Sequence, residues 1–170
     1  MDISEIKNMN ELKVKIMREV MELPLRKQFS MRLAKPDTWI ILPYNPSGIE
    51  SPKPHLLVGE KYALLIDPTD TPFDLRAYIE QYITDKPLLV ANTHSHGDHT
   101  YANYLFDDRP IYMSQICQQE LRERRANPQF KPGEEALGLT HVSRNDGTVV
   151  QPGDVIDLGG REIEVIGDFV

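Results

Sequence analysis

The chain has 170 residues, 40% of them hydrophobic and 26% charged, with a formal net charge of −7; that length suits one domain, and the composition is that of a folded protein rather than a disordered one. The acidic balance counts against a surface that tracks phosphate backbones, and no run approaches the roughly 20 apolar residues of a membrane helix, so neither nucleic acid nor membrane is expected as a partner. The single cysteine, Cys117, allows no internal disulfide, and the charged start "MDISEIKNMNELKVKIMREV" is unlike a signal peptide, so a cytoplasmic location is expected.

Met9, Leu12, Ile16 and Val20 recur at helical spacing and predict an amphipathic helix over 4–22 that Pro24 ends. Residues 1–35 are read as a helical extension, an accessory packing or dimer element, ahead of a domain over 36–170. From Trp39, itself a candidate core residue, the texture turns to short apolar runs bounded by Pro, Gly and Asp. "TWIIL" (38–42), "HLLVGE" (55–60) and "YALLIDP" (62–68) predict strands, with a proline-rich loop after the first and a tight "GEK" turn between the last two. Leu75, Tyr78, Ile79, Tyr82 and Ile83 form one helical face, and "KPLLVANT" follows as a buried strand. Strand, helix, strand in that order implies a right-handed crossover and parallel pairing.

Further on, the pattern predicts a short helix near 99–106, a strand at "RPIYM", a helix over Ser114–Ala126, and a long loop or lid over "NPQFKPGEEALGLTHVSRND". "TVV", "DVIDL" and "REIEVI" predict closing strands, the last two joined by a Gly159-Gly160 turn. The class is α/β (α+β), a mixed β-sheet with flanking helices.

The stretch "ANTHSHGDHTYAN" (91–103) gathers three of the chain's five histidines and an aspartate into six positions, where the apolar run of a strand stops. His94 and His96 are two apart, so extended backbone points both rings to one side and supplies half of a tetrahedral zinc site. Asp98 and His99 follow where the chain turns into a helix, and Gly97 lends that turn its freedom. The ends of strands are also where α/β sheets usually carry their sites. The other two histidines, His55 in a strand and His141 in the long loop, read as surface or loop residues, and Cys117 as a small core residue.

"THSHGDHT" resembles the metal-binding motif of the metallo-β-lactamase-fold hydrolases, a superfamily that includes β-lactamases, glyoxalase II-like thioesterases, lactonases and nucleases. "YALLIDPTD" resembles that family's strand ending in an aspartate near the metals, which maps to Asp67. "QPGDVIDLGGREIEVI" resembles the strand pair before its next metal ligand, so the similarity runs from about Thr38 to Ile166. The resemblance implies that His94 and His96 hold a first metal and that Asp98 and His99 help hold a second. Zinc is the usual metal, up to two ions, with iron or manganese as alternatives. It further implies a metal-bound hydroxide attacking an ester, thioester, lactone or amide-type small-molecule substrate, with Asp98 as the catalytic residue that orients the water. Asp67 would hold ligands in place through a hydrogen bond from behind them.

The family's later ligands, a histidine after the "EIEVI"-like strand and then an aspartate and a last histidine, have no counterpart in "EVIGDFV"; Gly167 and Asp168 stand nearest the first of them. The expectation is therefore the N-terminal half of an αβ/βα sandwich with the C-terminal half absent. Its inward sheet face would be apolar and uncovered, open to self-association, and its turnover low. A non-catalytic, self-associating fragment with weak metal binding is the alternative. A nuclease of the superfamily and an iron-dependent oxygen or thiol enzyme rank behind it.

Overall fold

The computed structural model describes residues 8–45, 52–130, 132–138 and 140–167. Helix α1 spans Met9–Met21 and is capped by Asn8, whose side chain accepts from the Glu11 amide at 3.0 Å, a bond that satisfies one of the free N–H groups of the first turn. Residues 4–7 of the expected helix lie outside the described residues. A second short helix, α2 (Leu25–Gln28), starts directly after Pro24.

Strand β1 (Phe29–Lys35) departs from the expectation of a helical stretch over 1–35. It pairs antiparallel with β2 (Thr38–Pro43), from Phe29 opposite Pro43 to Lys35 opposite Thr38. The physical reason is a short period-two run in which Phe29, Met31 and Leu33 alternate with Ser30, Arg32 and Ala34. The turn back is made at Pro36 and Asp37, the latter at φ 53°.

The remaining main-sheet strands are β3 (His55–Val58), β4 (Ala63–Ile66), β5 (Leu88–Ala91), β6 (Ile111–Met113) and β7 (Thr148–Val149), giving the order β1-β2-β3-β4-β5-β6-β7. Pairing is antiparallel from β1 to β4 and parallel from β4 to β7. The change falls where α3 (Leu75–Tyr82) connects β4 to β5, as the strand-helix-strand pattern required. Helices α4 (Gly97–Thr100), a 3₁₀ segment at Tyr101–Phe106, α5 (Gln115–Ala126) and α6 (Pro132–Ala136) complete the helical elements. The last of these lies inside the stretch expected to be a loop.

Alternation along the strands divides the core cleanly. Leu56, Ala63, Leu65, Leu88, Val90, Ile111 and Met113 face a cluster with Val20, Leu75, Ile79, Phe106 and Cys117 of the helical layer. Leu64 and Leu89 face the other way and pack on Ile156 and Leu158, which belong to a separate antiparallel pair, β8 (Val155–Asp157) and β9 (Glu162–Glu164). The second face is apolar as expected, but it is not bare: the β8–β9 hairpin covers part of it. Beside the hairpin lies a groove of about 630 Å³ walled by Leu89, Tyr112, Val149 and Val155 among others.

The hairpin is held turn against turn. Gly159 and Gly160 take φ of 78° and 68°, the left-handed pair that a two-residue I′ turn demands. The Leu158 carbonyl accepts from the Lys61 and Tyr62 amides at 2.9 and 3.1 Å, and Gly159 O accepts from Glu60 N at 2.8 Å. Gly59 lies directly under Leu158, and a Cβ there would fall 2.3 Å from the Leu158 carbonyl oxygen. A backbone oxygen cannot swing aside, so Gly59→Ala is expected to cost about 1–3 kcal/mol. Urea unfolding gives the loss, and faster amide exchange at Lys61 and Tyr62 would locate it at this contact.

Candidate functional site

Strand β5 carries the chain to the site. At its end Asn92 and Asn103, 5% and 1% exposed, bond each other reciprocally at 3.2 and 2.8 Å, Nδ2 to Oδ1 in both directions. Each buried amide thereby has a partner for its NH₂ group and one for its oxygen, as buried polar groups require. The pair fastens the start of the histidine loop to the 3₁₀ segment beyond it.

Between these staples the histidine rings gather. The His94 ring centre lies 4.6 Å from that of His96 and 4.0 Å from that of His99. Asp67, at the end of β4 and 8% exposed, reaches across to the same loop. Its carboxylate accepts from the Thr93 amide at 2.8 Å and from the Thr93 hydroxyl at 2.7 Å, and lies 2.9 Å from His99 Nδ1. An imidazole bonded to a carboxylate through Nδ1 is fixed in ring orientation and tautomer, leaving Nε2 as its free donor nitrogen. His94 is treated alike, with Nδ1 3.0 Å from the Thr93 hydroxyl. Burial, followed by the neighbouring His99 and His96, holds the His94 imidazole below its ordinary range. Its neutral form, the one with a lone pair to offer, is thereby favoured.

The backbone under Asp67 is unusual. Asp67 and Thr69 have φ of 51° and 68°; Asp67 precedes a proline and Thr69 is β-branched, both poor candidates for the left-handed region. They persist because the histidine loop clamps them. Thr69 N donates to His99 O at 3.3 Å, and Thr69 O accepts from Ala102 N at 3.0 Å. Strained backbone of this kind tends to collect at functional sites.

The loop is also gripped from α5. Ser95, 4% exposed, donates its hydroxyl to Glu120 Oε2. Its carbonyl accepts from Arg124 Nη1 at 2.7 Å and from Thr100 Oγ1 at 3.1 Å. Sequence reading passed over Ser95, Thr93, Glu120 and Arg124. The available signal was the i, i+4 spacing of Glu120 and Arg124 on a helix that follows the motif.

Of the expected residues, the structure brings His94, His96, His99 and Asp67 together. Asp98 sits at the start of α4 with Oδ2 3.7 Å from His99 Nε2. Cys117 is buried, as expected of a core residue. His141 stacks on Tyr104 with ring centres 4.8 Å apart, and His55 lies in β3 opposite Ile40 and Ile66. Asp168 lies outside the described residues. Three imidazoles and a carboxylate are the donor types that zinc, iron or manganese accept, so the cluster fits such a metal in its chemistry. It does not complete a centre by number: among the described residues no group of three or more His, Cys, Asp or Glu closes round one metal position.

Burial, then nearby Glu120, pushes the Cys117 thiol up to about 12. The folded protein should therefore resist thiol reagents at about pH 8 and react only after unfolding, because the thiolate is the reactive form. The unfolded thiol ionises near its ordinary value of 9.0 while the folded one keeps its proton, so stability contributed by this group declines as pH rises past that value. Timed reaction with a chromogenic disulfide, with and without urea, checks the first statement.

Among the described residues no helix is long and apolar enough to cross a membrane. Comparison with protein families matches residues 54–170 to the metallo-beta-lactamase superfamily. Among solved structures, a metallo-beta-lactamase from Pontibacter korlensis superposes with a TM-score of 0.58 at 16% identity, over 81% of this chain and 59% of that one. A metallo-beta-lactamase family protein from Thermus thermophilus gives 0.58 at 16% identity, over 79% and 52%. A beta-lactamase domain protein from Burkholderia ambifaria gives 0.56 at 16% identity, over 79% and 46%. The chain thus spans about half to three-fifths of the length of these neighbours. No curated protein matches.

Proposed function

This chain belongs to the metallo-β-lactamase superfamily, and on that premise we propose that its histidine loop is the first part of the active site of a metal-dependent hydrolase acting on an ester, thioester, lactone or amide-type small molecule. The observation that carries the reading is the Asp67–His99 pairing at 2.9 Å beside His94 and His96. A carboxylate behind a histidine fixes that ring and aims its other nitrogen, which a surface histidine does not need.

In this reading Nε2 of His94 and of His99 are the donor atoms left open, with His96 and Asp98 as the further ligand groups, for zinc or alternatively iron or manganese. Such a metal, when bound, acidifies a water and polarises the oxygen of the bond to be cleaved. Asp98, half-exposed at the head of α4, would accept a hydrogen bond from such a water and orient it. Asp67 and Thr93 keep the rings from turning. Divided between two metals, these four groups give each fewer than the three protein ligands that even catalytic zinc sites keep, so turnover by the described residues alone is expected to be low.

Metal analysis of the purified chain, with initial rates on an aryl ester, a thioester and a lactone, tests this. Metal uptake that is lost in His94→Ala and His99→Ala supports the reading. A chain that takes up neither zinc, iron nor manganese and hydrolyses none of the three overturns it. A second reading, self-association through the sheet face, is favoured by Val149 and Val155, exposed beside the open groove. A defined dimer on a sizing column, disrupted by Val155→Lys, would support it.

A further inference from the structure

We propose that Glu120 and Arg124 of α5 are positioning residues that set the direction of the His94 and His96 rings through Ser95. The inference rests on the metal-site reading above for its purpose, though not for its geometry.

Ser95 stands between His94 and His96, and what its side chain and carbonyl meet is α5. Its hydroxyl is taken by Glu120 and its carbonyl by the Arg124 guanidinium at 2.7 Å, so both its side chain and its peptide plane are fixed by charged partners, the stronger kind of hydrogen bond. Holding the Ser95 carbonyl fixes the peptide that leads into His96, and with it the direction in which the His96 side chain leaves the backbone. Thr100 Oγ1 completes the arrangement, donating to Ser95 O at 3.1 Å and His96 O at 3.0 Å while standing 3.4 Å from Arg124 Nη1.

Glu120 and Arg124 stand one helical turn apart, a spacing at which opposite charges commonly pair with each other. Here they do not: among the described residues neither forms an ion pair with the other, and both reach to the loop instead. A solvated helix face would show the reverse. Cys117, one turn earlier on α5 and 2% exposed, packs in the helical-layer core, so the helix that carries the two charged residues is itself anchored.

The test uses the full chain with Ser95→Ala, Glu120→Gln, Glu120→Leu and Arg124→Met. Two readouts are followed: proton contacts between the His94 and His96 rings, whose centres lie 4.6 Å apart, by nuclear magnetic resonance, and cobalt(II) titration by the visible spectrum. Arg124→Met and Glu120→Leu are expected to lose the ring contact and to weaken cobalt binding about ten- to a hundredfold, the usual effect of removing a group that orients a ligand. Glu120→Gln, which keeps an acceptor for Ser95, is expected to retain both. Ring contacts and cobalt affinity unchanged in both Arg124→Met and Glu120→Leu would overturn the proposal. Should either variant fail to fold, the milder pair decides: loss in Ser95→Ala with retention in Glu120→Gln supports it, and retention in both sinks it. If the unaltered chain takes up no cobalt, the metal-site reading fails by itself, and the ring contacts still judge the clamp.

Discussion

Asp67→Ala is expected to weaken metal binding about ten- to a hundredfold and to cost about 2–4 kcal/mol of stability. The carboxylate accepts from two donors on Thr93 and pairs with His99 Nδ1, and it is buried. Truncation leaves those donors without partners in a place water reaches poorly. Asp67→Asn separates the two effects. Its Oδ1 can still accept from the Thr93 amide, so stability should fall less. Its NH₂ group, however, presents hydrogen where His99 Nδ1 needs an acceptor. To bond it, His99 must place its proton on Nε2, which closes the nitrogen a metal would use. Cobalt titration alongside urea melts reads both quantities. Wild-type affinity in both variants would remove Asp67 from the site.

The second large effect lies in the core. Phe106, at the end of the 3₁₀ segment, is 0% exposed and packs in the cluster between the sheet and the helical layer. Phe106→Ala should cost about 3–5 kcal/mol, the transfer term plus an incompletely filled cavity. For a domain of this size that corresponds to a fall in melting temperature of roughly 6–20 °C. The same segment carries Asn103, whose amide pair holds the histidine loop, so loosening should extend to the site. Calorimetry gives the first effect, and cobalt binding by the still-folded fraction reports the second.

Much of the fold was legible because the apolar pattern is strong where packing is strong. "YALLIDP" and "KPLLVANT" became β4 and β5, both central and buried on two faces. The helix over Leu75–Tyr82 matched the face read from Leu75, Tyr78 and Ile79, all three buried. β1 was missed because its run is exposed beyond Phe29 and carries Arg32 and Lys35, so its alternation is faint beside the helical signal before it. The hairpin's cover over Leu64 and Leu89 was missed for another reason. A docking contact made through Gly59 and the Leu158 backbone leaves no pattern in side-chain hydropathy.

At the site, His94, His96 and His99 stood out by chemistry and spacing and Asp67 by family resemblance alone, and the structure brings the four side chains together. Their supports gave no such signal. Ser95, Thr93, Glu120 and Arg124 act through single hydrogen bonds across 24 to 29 positions of chain or between immediate neighbours, and serine, threonine and surface charge are too common to stand out.

The sheet ends at β1, and that border bears on how the molecule behaves at high concentration. Its outer row of amides and carbonyls could template the addition of a foreign strand, and Met31 and Leu33 are exposed along it. Arg32 and Lys35 place charge on the same short strand, and the register slips between Leu33 and Lys35, so an incoming chain would meet repulsion and a broken ladder. Neutralising those two cations would turn a guarded rim into a seed for fibres.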